Sequence, residues 1–273
     1  MHSFTVILPV YNAYHTLLDC LQSLLLSEGN FDVHIINDAS TDKRVLTLLE
    51  VFISKNNLNW KLESNRKNLG FVETVNIGMQ LSTKDVVLLN QDVILATQTL
   101  HLLHQKAISE NDLASLTPLS NNAEIASVPK ICTNNPMPLN IETMAMVCAQ
   151  TTSPIFPEIP TGVGFCMYIT RTALNKIGYF DAQAFGHGYG EENDFCCRAT
   201  AAGLKNIICD TAYAAHIGNQ SFSELGMKPN EKALSIIQER YPWYIDAVKL
   251  FIKNDPLALR REQIAINYQE QPK

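Results

Sequence analysis

The chain has 273 residues, 46% hydrophobic and 18% charged, with a formal net charge of −6; this is the composition of a soluble globular protein with one large domain or two small ones. The negative balance argues against a general nucleic-acid binder, so no nucleic-acid partner is expected, although a locally basic pocket can still hold an anionic ligand. The amino-terminal apolar run is about six residues, short of a signal-peptide core, and no stretch approaches the roughly 20 apolar residues of a membrane span.

The first part alternates strands and helices. Phe4 to Val10 is a short, wholly apolar run that predicts a buried strand, and Tyr14 to Leu26 carries apolar residues at helical spacing. Val33 to Ile36 predicts the next strand. It ends on Asn37-Asp38-Ala39-Ser40-Thr41-Asp42, where Ser or Thr can cap a helix running to about Ser54. A strand at Trp60 to Leu62, a helix at Gly70 to Leu81 and a strand at Asp85 to Leu89 follow. Such βαβ alternation predicts an α/β fold with a mostly parallel, Rossmann-like central sheet covered on both faces. From about Leu113 the pattern changes, and the proline-rich stretch from Ser120 to Pro160 has little periodicity, which suggests a lid or acceptor-binding segment. Gly164 to Thr170 predicts a strand and Arg171 to Ile177 a short helix. Glu191 to Ala202 predicts a helix ended by Gly203, and Leu204 to Cys209 and Ala212 to His216 two short extended pieces. Helices are expected at about Lys228 to Tyr241 and Tyr244 to Lys253, with a loosely held tail past Pro256.

Ligands of open α/β sheets bind beyond the carboxyl ends of the strands, which directs attention to the polar residues there: Tyr11 and Asn12, Asn37 and Asp38, Asn65 to Asn68, and Asn90 to Asp92. Asp92, ending a buried strand in LLNQDVIL, suits a divalent metal that holds a diphosphate, or is simply part of a polar turn. Asp38 can accept hydrogen bonds from a nucleobase or ribose, or cap the next helix. Gly70, at a helix start, lets backbone approach a ligand closely. In GYGEENDFCCRA, Glu191, Glu192 and Asp194 crowd a helix amino terminus, where acidic residues are stabilising without any catalytic role. Asp194 and Arg198 stand at i and i+4 and predict a structural pair. The seven cysteines lack a C-x-x-C spacing, adjacent Cys196 and Cys197 point about 100° apart on a helix, and buried packing fits them better than zinc. A reducing, cytoplasmic compartment fits such cysteines. His216, in AAHIGNQSF, is either a satisfied histidine or the completion of a metal site with Asp92.

Taken in order, VILPVYNA, INDASTD, Asn68-x-Gly70, Asn76-x-Gly78, LLNQDVIL, PTGVGFCMYITRTALNKIGYFD, GYGEENDFCCRA and the stretch from His216 to Phe222 resemble the family 2 glycosyltransferases of GT-A fold. These are inverting, nucleotide-sugar-dependent enzymes. The resemblance implies a GT-A domain over 1–222, with a nucleotide-sugar-binding half (1–112) and an acceptor-binding, catalytic half (113–222). Residues 223–273, a helical extension, lie outside it. It implies that Asp38 binds the base or ribose, with Pro9, Tyr11 and Asn12 as the opposite wall, and that Asn68, Gly70, Asn90 and Gln91 also face the donor. Asp92 then matches the last acid of the family's Asp-x-Asp motif and holds Mg²⁺ or Mn²⁺ with His216, while Asn90 replaces that motif's first acid. Glu192 falls at the catalytic base, usually an aspartate, with Glu191 before it. Gly162, Gly164 and Phe165 fall where acceptors bind. The implied partners are a UDP- or dTDP-sugar donor and a glycan or lipid-linked glycan acceptor, in bacterial surface polysaccharide synthesis, with peripheral attachment to the inner face of the plasma membrane. A glycan- or nucleotide-sugar-binding module that keeps the fold without catalysis is the alternative. A nucleotidyltransferase would need a glycine-rich, basic loop after its first strand, which VILPVYNA lacks.

Overall fold

The computed structural model describes residues 3–186, 188–218 and 231–269. Its elements in chain order begin with β1 (Phe4–Val10), α1 (Tyr14–Leu25), β2 (Phe31–Asn37), α2 (Lys43–Lys55), β3 (Lys61–Ser64), α3 (Phe71–Leu81) and β4 (Asp85–Leu89). Then come β5 (Val93–Leu95), α4 (Thr99–Ser109), β6 (Leu113–Leu119), α5 (Ile141–Gln150), β7 (Cys166–Ile169), α6 (Arg171–Ile177), α7 (Ala182–Phe185), α8 (Glu191–Ala201) and β8 (Lys205–His216). Among the described residues three further helices follow: α9 (Glu231–Arg240), α10 (Tyr244–Asn254) and α11 (Ala258–Gln269).

The described strands form one eight-stranded sheet in the order β3-β2-β1-β4-β7-β6-β8-β5. The first four in that order are parallel, and the near-continuous apolar runs of β1 and β4 are those of strands buried on both faces. Strand β7 inserts antiparallel between β4 and β6, and β8 runs parallel to β6. Two apolar layers cover the sheet. One includes Leu17, Leu21, Leu49 and Leu103 and the other Val72, Met79, Leu174 and Phe195. Helix α3 lies directly on β1 because Gly78 has no side chain: a Cβ there would stand 2.6 Å from Ile7 Cγ2.

Several expectations are corrected. Helix α2 is capped by Asp42, whose carboxylate accepts from Arg44 N, rather than by Ser or Thr. The stretch from Leu113 does not lose regularity: β6 is buried at every position, and Pro118 fits it because a bulge follows there. Helix α5 lies inside the proline-rich segment, capped by Asn140 accepting from Thr143 N. The two pieces expected from Leu204 to His216 are one long strand. The expected loose tail past Pro256 is helix α11, anchored by buried Arg260 and Arg261. Arg260 donates to the carbonyls of Cys148, Thr151, Thr152 and Asp210 and pairs with the Asp210 carboxylate, while Arg261 donates to those of Ile125 and Ser127. The start of the helix expected from Lys228 lies outside the described residues.

Candidate functional site

The parallel strands β1, β2 and β4 end side by side, and their loops are tied to one another by side chains. Asn12, in a left-handed backbone conformation at φ 52°, accepts through Oδ1 from Thr41 N at 2.9 Å and Asp42 N at 3.1 Å. The Gln91 amide closes a pair on the Tyr11 backbone, accepting from its N–H at 3.1 Å and donating to its carbonyl at 2.8 Å. This engages Gln91 as a brace between the ends of β1 and β4. Pro9 and Asn68 are half-buried, and Arg66 and Lys67 are exposed in the same loop as Asn68.

Asp38 is buried, and its carboxylate is already well supplied with donors. Oδ1 accepts from Asn65 Nδ2 and Leu69 N, both at 2.8 Å, and Oδ2 from Gly70 N at 2.8 Å. Gly70 has φ 85°, a conformation that a residue with a Cβ adopts only under strain, and it is the N-cap of α3. The Asp38 carboxylate therefore shapes the 65–70 loop, and the cap of α2 is Asp42.

At the far side of the crevice, β4 ends on Asn90-Gln91-Asp92 and β5 pairs antiparallel with the end of β8, which brings Val93 opposite His216. His216 Nε2 stands 3.5 Å from Asp92 Oδ1. His216 Nδ1 donates to the Asn122 carbonyl at 2.7 Å, which fixes the tautomer and leaves Nε2 as the nitrogen facing Asp92. Burial disfavours the imidazolium, but the Asp92 carboxylate and the Asn122 carbonyl outweigh it, so the His216 pKa is raised. The His216 ring stacks on Phe165 at 5.2 Å between centroids. Asp92 Oδ1 is buried and makes no hydrogen bond. An orphaned carboxylate oxygen opposite an oriented imidazole nitrogen suits a divalent cation, with remaining positions left for phosphate oxygens. Among the described residues, no cluster of three or more His, Cys, Asp or Glu side chains converges as a metal cage.

The acidic helix α8 begins after Gly190, at φ 102°. Glu191 is 4% exposed, and both Glu191 Oε2 and Glu192 Oε2 are buried and unpartnered. Burial raises the pKa of both carboxyls, Glu191 the more strongly because Glu192 adds like-charge repulsion. Backbone N–H groups near Gly190 and Gly164 favour the ionised form of Glu192. Of the two, Glu192 has the more support for its ionised form, and the pair titrates as a unit. Asp194, by contrast, is fully buried and saturated, and its pair with Arg198 at 2.7 Å is structural as expected.

The acceptor-side residues separate on inspection. A Cβ at Gly164 would meet Glu192 Oε1 at 3.7 Å, so this backbone passes beside the carboxylate. Gly162 is turned inward, its N–H donating to Cys196 Sγ, and Phe165 is buried against His216; neither presents a surface to an acceptor. Cys196 and Cys197 are free, buried thiols with pKa pushed up to about 12 by burial, as packing residues are. Sequence reasoning missed Asn121, whose side chain accepts from His216 N and donates to His216 O, and Asn122 beside it. Their only signal was their position as polar residues following a buried strand, the same signal that pointed to Asp38 and Asp92.

Comparison with known proteins gives the family and the fold. A family model described as glycosyl transferase family 2 matches residues 5–178. An uncharacterized glycosyltransferase of Haemophilus influenzae is 37% identical over 76 residues, which are 28% of this chain and 23% of that relative. Among solved structures, GalNAc-T7 with UDP, GalNAc and Mn2+ superposes with a TM-score of 0.66 at 17% identity, over 98% of this chain and 52% of that one. The mannosyltransferase PcManGT from Pyrobaculum calidifontis, in complex with GDP-Man and Mn2+, gives 0.60 at 14%, over 99% and 88%. S. aureus TarS 1-349 in complex with UDP-GlcNAc gives 0.59 at 19%, over 98% and 72%. The chain spans about half the length of GalNAc-T7 and less of the Haemophilus relative. The structural likenesses show the GT-A fold.

Proposed function

Because the chain belongs to glycosyl transferase family 2, we propose that it is an inverting glycosyltransferase that moves a sugar from a nucleoside-diphosphate sugar to an acceptor hydroxyl, with Glu192 as the base. The observation that carries this reading is the Glu191–Glu192 pair at the start of α8, each with a buried, unpartnered carboxylate oxygen, and the Gly164 backbone passing beside the Glu192 carboxylate. Glu192 Oε takes the proton from the acceptor hydroxyl as that oxygen bonds to the anomeric carbon. The bond from that carbon to the diphosphate breaks on the opposite face, and the configuration inverts. General-base catalysis of this kind contributes about 10² to 10⁴-fold. Asp92 and His216 are the residues that would hold Mg²⁺ or Mn²⁺, which would supply a counter-charge for the departing diphosphate. Asp38, Asn12 and Gln91 keep the donor-side loops in place, so residues 1–112 form the donor half and 113–222 the half that carries acceptor and base.

Structural neighbours solved with UDP, UDP-GlcNAc and GDP-Man support a nucleotide-sugar donor. We take a UDP- or dTDP-sugar as the donor, a glycan or lipid-linked glycan as the acceptor, and bacterial surface polysaccharide synthesis at the cytoplasmic side of the membrane as the setting. No helix among the described residues is long and apolar enough to cross a membrane. Asn90 in place of an acid favours one second reading, a nucleotide-sugar-binding module without turnover. Nucleotide release from a panel of UDP-, dTDP- and GDP-sugars with Mn²⁺ separates the two. Release that EDTA abolishes is the expected result. Donor binding without release would establish the module, and release untouched by EDTA would remove the metal from Asp92 and His216.

A further inference from the structure

The acidic helix α8 carries the base at its first turn, yet its N-cap Gly190 offers no side chain to fix that turn. The anchors come from α9 and α10, which lie beyond the residues matched by the family model. Asp194 is completely buried, and only one of its oxygens is used within α8, by Arg198 Nε at 2.7 Å. The other accepts from Arg240 Nη1 at 2.8 Å and Tyr241 Oη at 3.0 Å. Arg240 also reaches Asp181, the N-cap of α7, through Nη2 at 2.9 Å. One guanidinium therefore bridges α7 and α8. Tyr244 Oη accepts from Nδ2 of Asn193, the residue after Glu192. Before it, Gly190 packs so tightly that a Cβ there would lie 2.8 Å from Phe185 Cε1 and 3.3 Å from Ala233 Cβ. The residues flanking Glu192 are thus held by the C-terminal helices on both sides.

We propose that Arg240 and Tyr244 are positioning residues for Glu192, so that the C-terminal helices complete the catalytic half of the enzyme. This rests on Glu192 being the base. The hydrogen bonds by which Asp38 and Asn12 hold the donor-side loops are made within the first 112 residues. Loss of either anchor displaces the carboxylate and leaves the donor pocket intact. Misplacement of a catalytic group by about 1 Å costs on the order of 10²-fold in rate.

The test uses the full chain with Arg240→Ala, Arg240→Lys and Tyr244→Phe, read by UDP or GDP release from UDP-glucose, UDP-N-acetylglucosamine and GDP-mannose, donor titration, and amide hydrogen exchange. Arg240→Ala should lower kcat by roughly 10- to 100-fold with donor affinity within about twofold of wild type. Arg240→Lys, which can reach only one of the two aspartates, and Tyr244→Phe, which removes one hydroxyl, should fall between. In a Glu192→Gln background Arg240→Ala should lower kcat no further, whereas a general loss of fold would. Amides of residues 191–197 should exchange faster in Arg240→Ala while those of β1 and β4 do not. Wild-type kcat in Arg240→Ala and Tyr244→Phe, or unchanged exchange across 191–197, would overturn the proposal. Full turnover in Glu192→Gln alone would instead refute the base, and the exchange of residues 191–197 would still decide whether the helices clamp α8.

Discussion

Replacing Asp38 by alanine removes the acceptor of three hydrogen bonds at one stroke. Gly70 N is buried and loses its partner outright, Leu69 N is half-buried and can turn partly to water, and Asn65 Nδ2 keeps its bond to Thr74 Oγ1 at 3.1 Å. A buried donor left unpaired costs about 1–3 kcal/mol, and one full and one partial loss give roughly 2–5 kcal/mol for the alanine variant. In Asp38→Asn, Oδ1 can still serve Asn65 and Leu69, but its NH₂ then faces the Gly70 N–H. One bond is lost and two donors oppose each other, for about 2 kcal/mol. Urea unfolding at neutral pH measures both. The order wild type, Asn, Ala is the expected one. An alanine variant within about 1 kcal/mol of wild type would show that the carboxylate does not hold this loop.

Other consequences follow from the C-terminal helix and the paired glutamates. Arg260→Ala leaves Asp210, fully buried, without its ion-pair partner and should cost about 3–5 kcal/mol by urea unfolding; Arg260→Met combined with Asp210→Asn should cost less, because no charge is then stranded. Because Glu192 must be ionised to accept a proton and its pKa is raised by burial, turnover should fall on acidification with a midpoint above the ordinary glutamate value of 4.5. The folded chain holds more protons on this pair than the unfolded one, so the pair's contribution to stability falls as pH rises through the raised values. Glu191→Gln and Glu192→Gln should each flatten that fall when stability is followed against pH.

Elements whose local pattern and burial agree were legible from the sequence. β1 is apolar because it is covered on both faces, and α1 and α2 show helical spacing because one stripe packs on the sheet. The elements that were missed obey tertiary rules. Pro118 marks a bulge inside buried β6, a position visible only once β8 lies beside it. Prolines around α5 hid a ten-residue helix that Asn140 caps. The residues of α11 look like a solvated tail because arginine is rarely buried, and here two arginines are held by backbone carbonyls from three distant segments. Within the site, the strand-end rule pointed to Asp38, Gln91 and Asp92 without revealing that Asp38 and Gln91 hold the backbone of neighbouring loops. Asn121, Arg240 and Tyr244 act across separations in sequence that no local pattern encodes.

The account turns on Glu192 as the group that takes the acceptor's proton. The most direct measurement compares wild type with Glu192→Gln in donor titration and in nucleotide release with acceptor present. The amide is isosteric and keeps the helix in place, so donor affinity should stay near wild type while kcat falls by about 10² to 10⁴-fold. Turnover undiminished in Glu192→Gln would contradict the assignment and pass the role to Glu191.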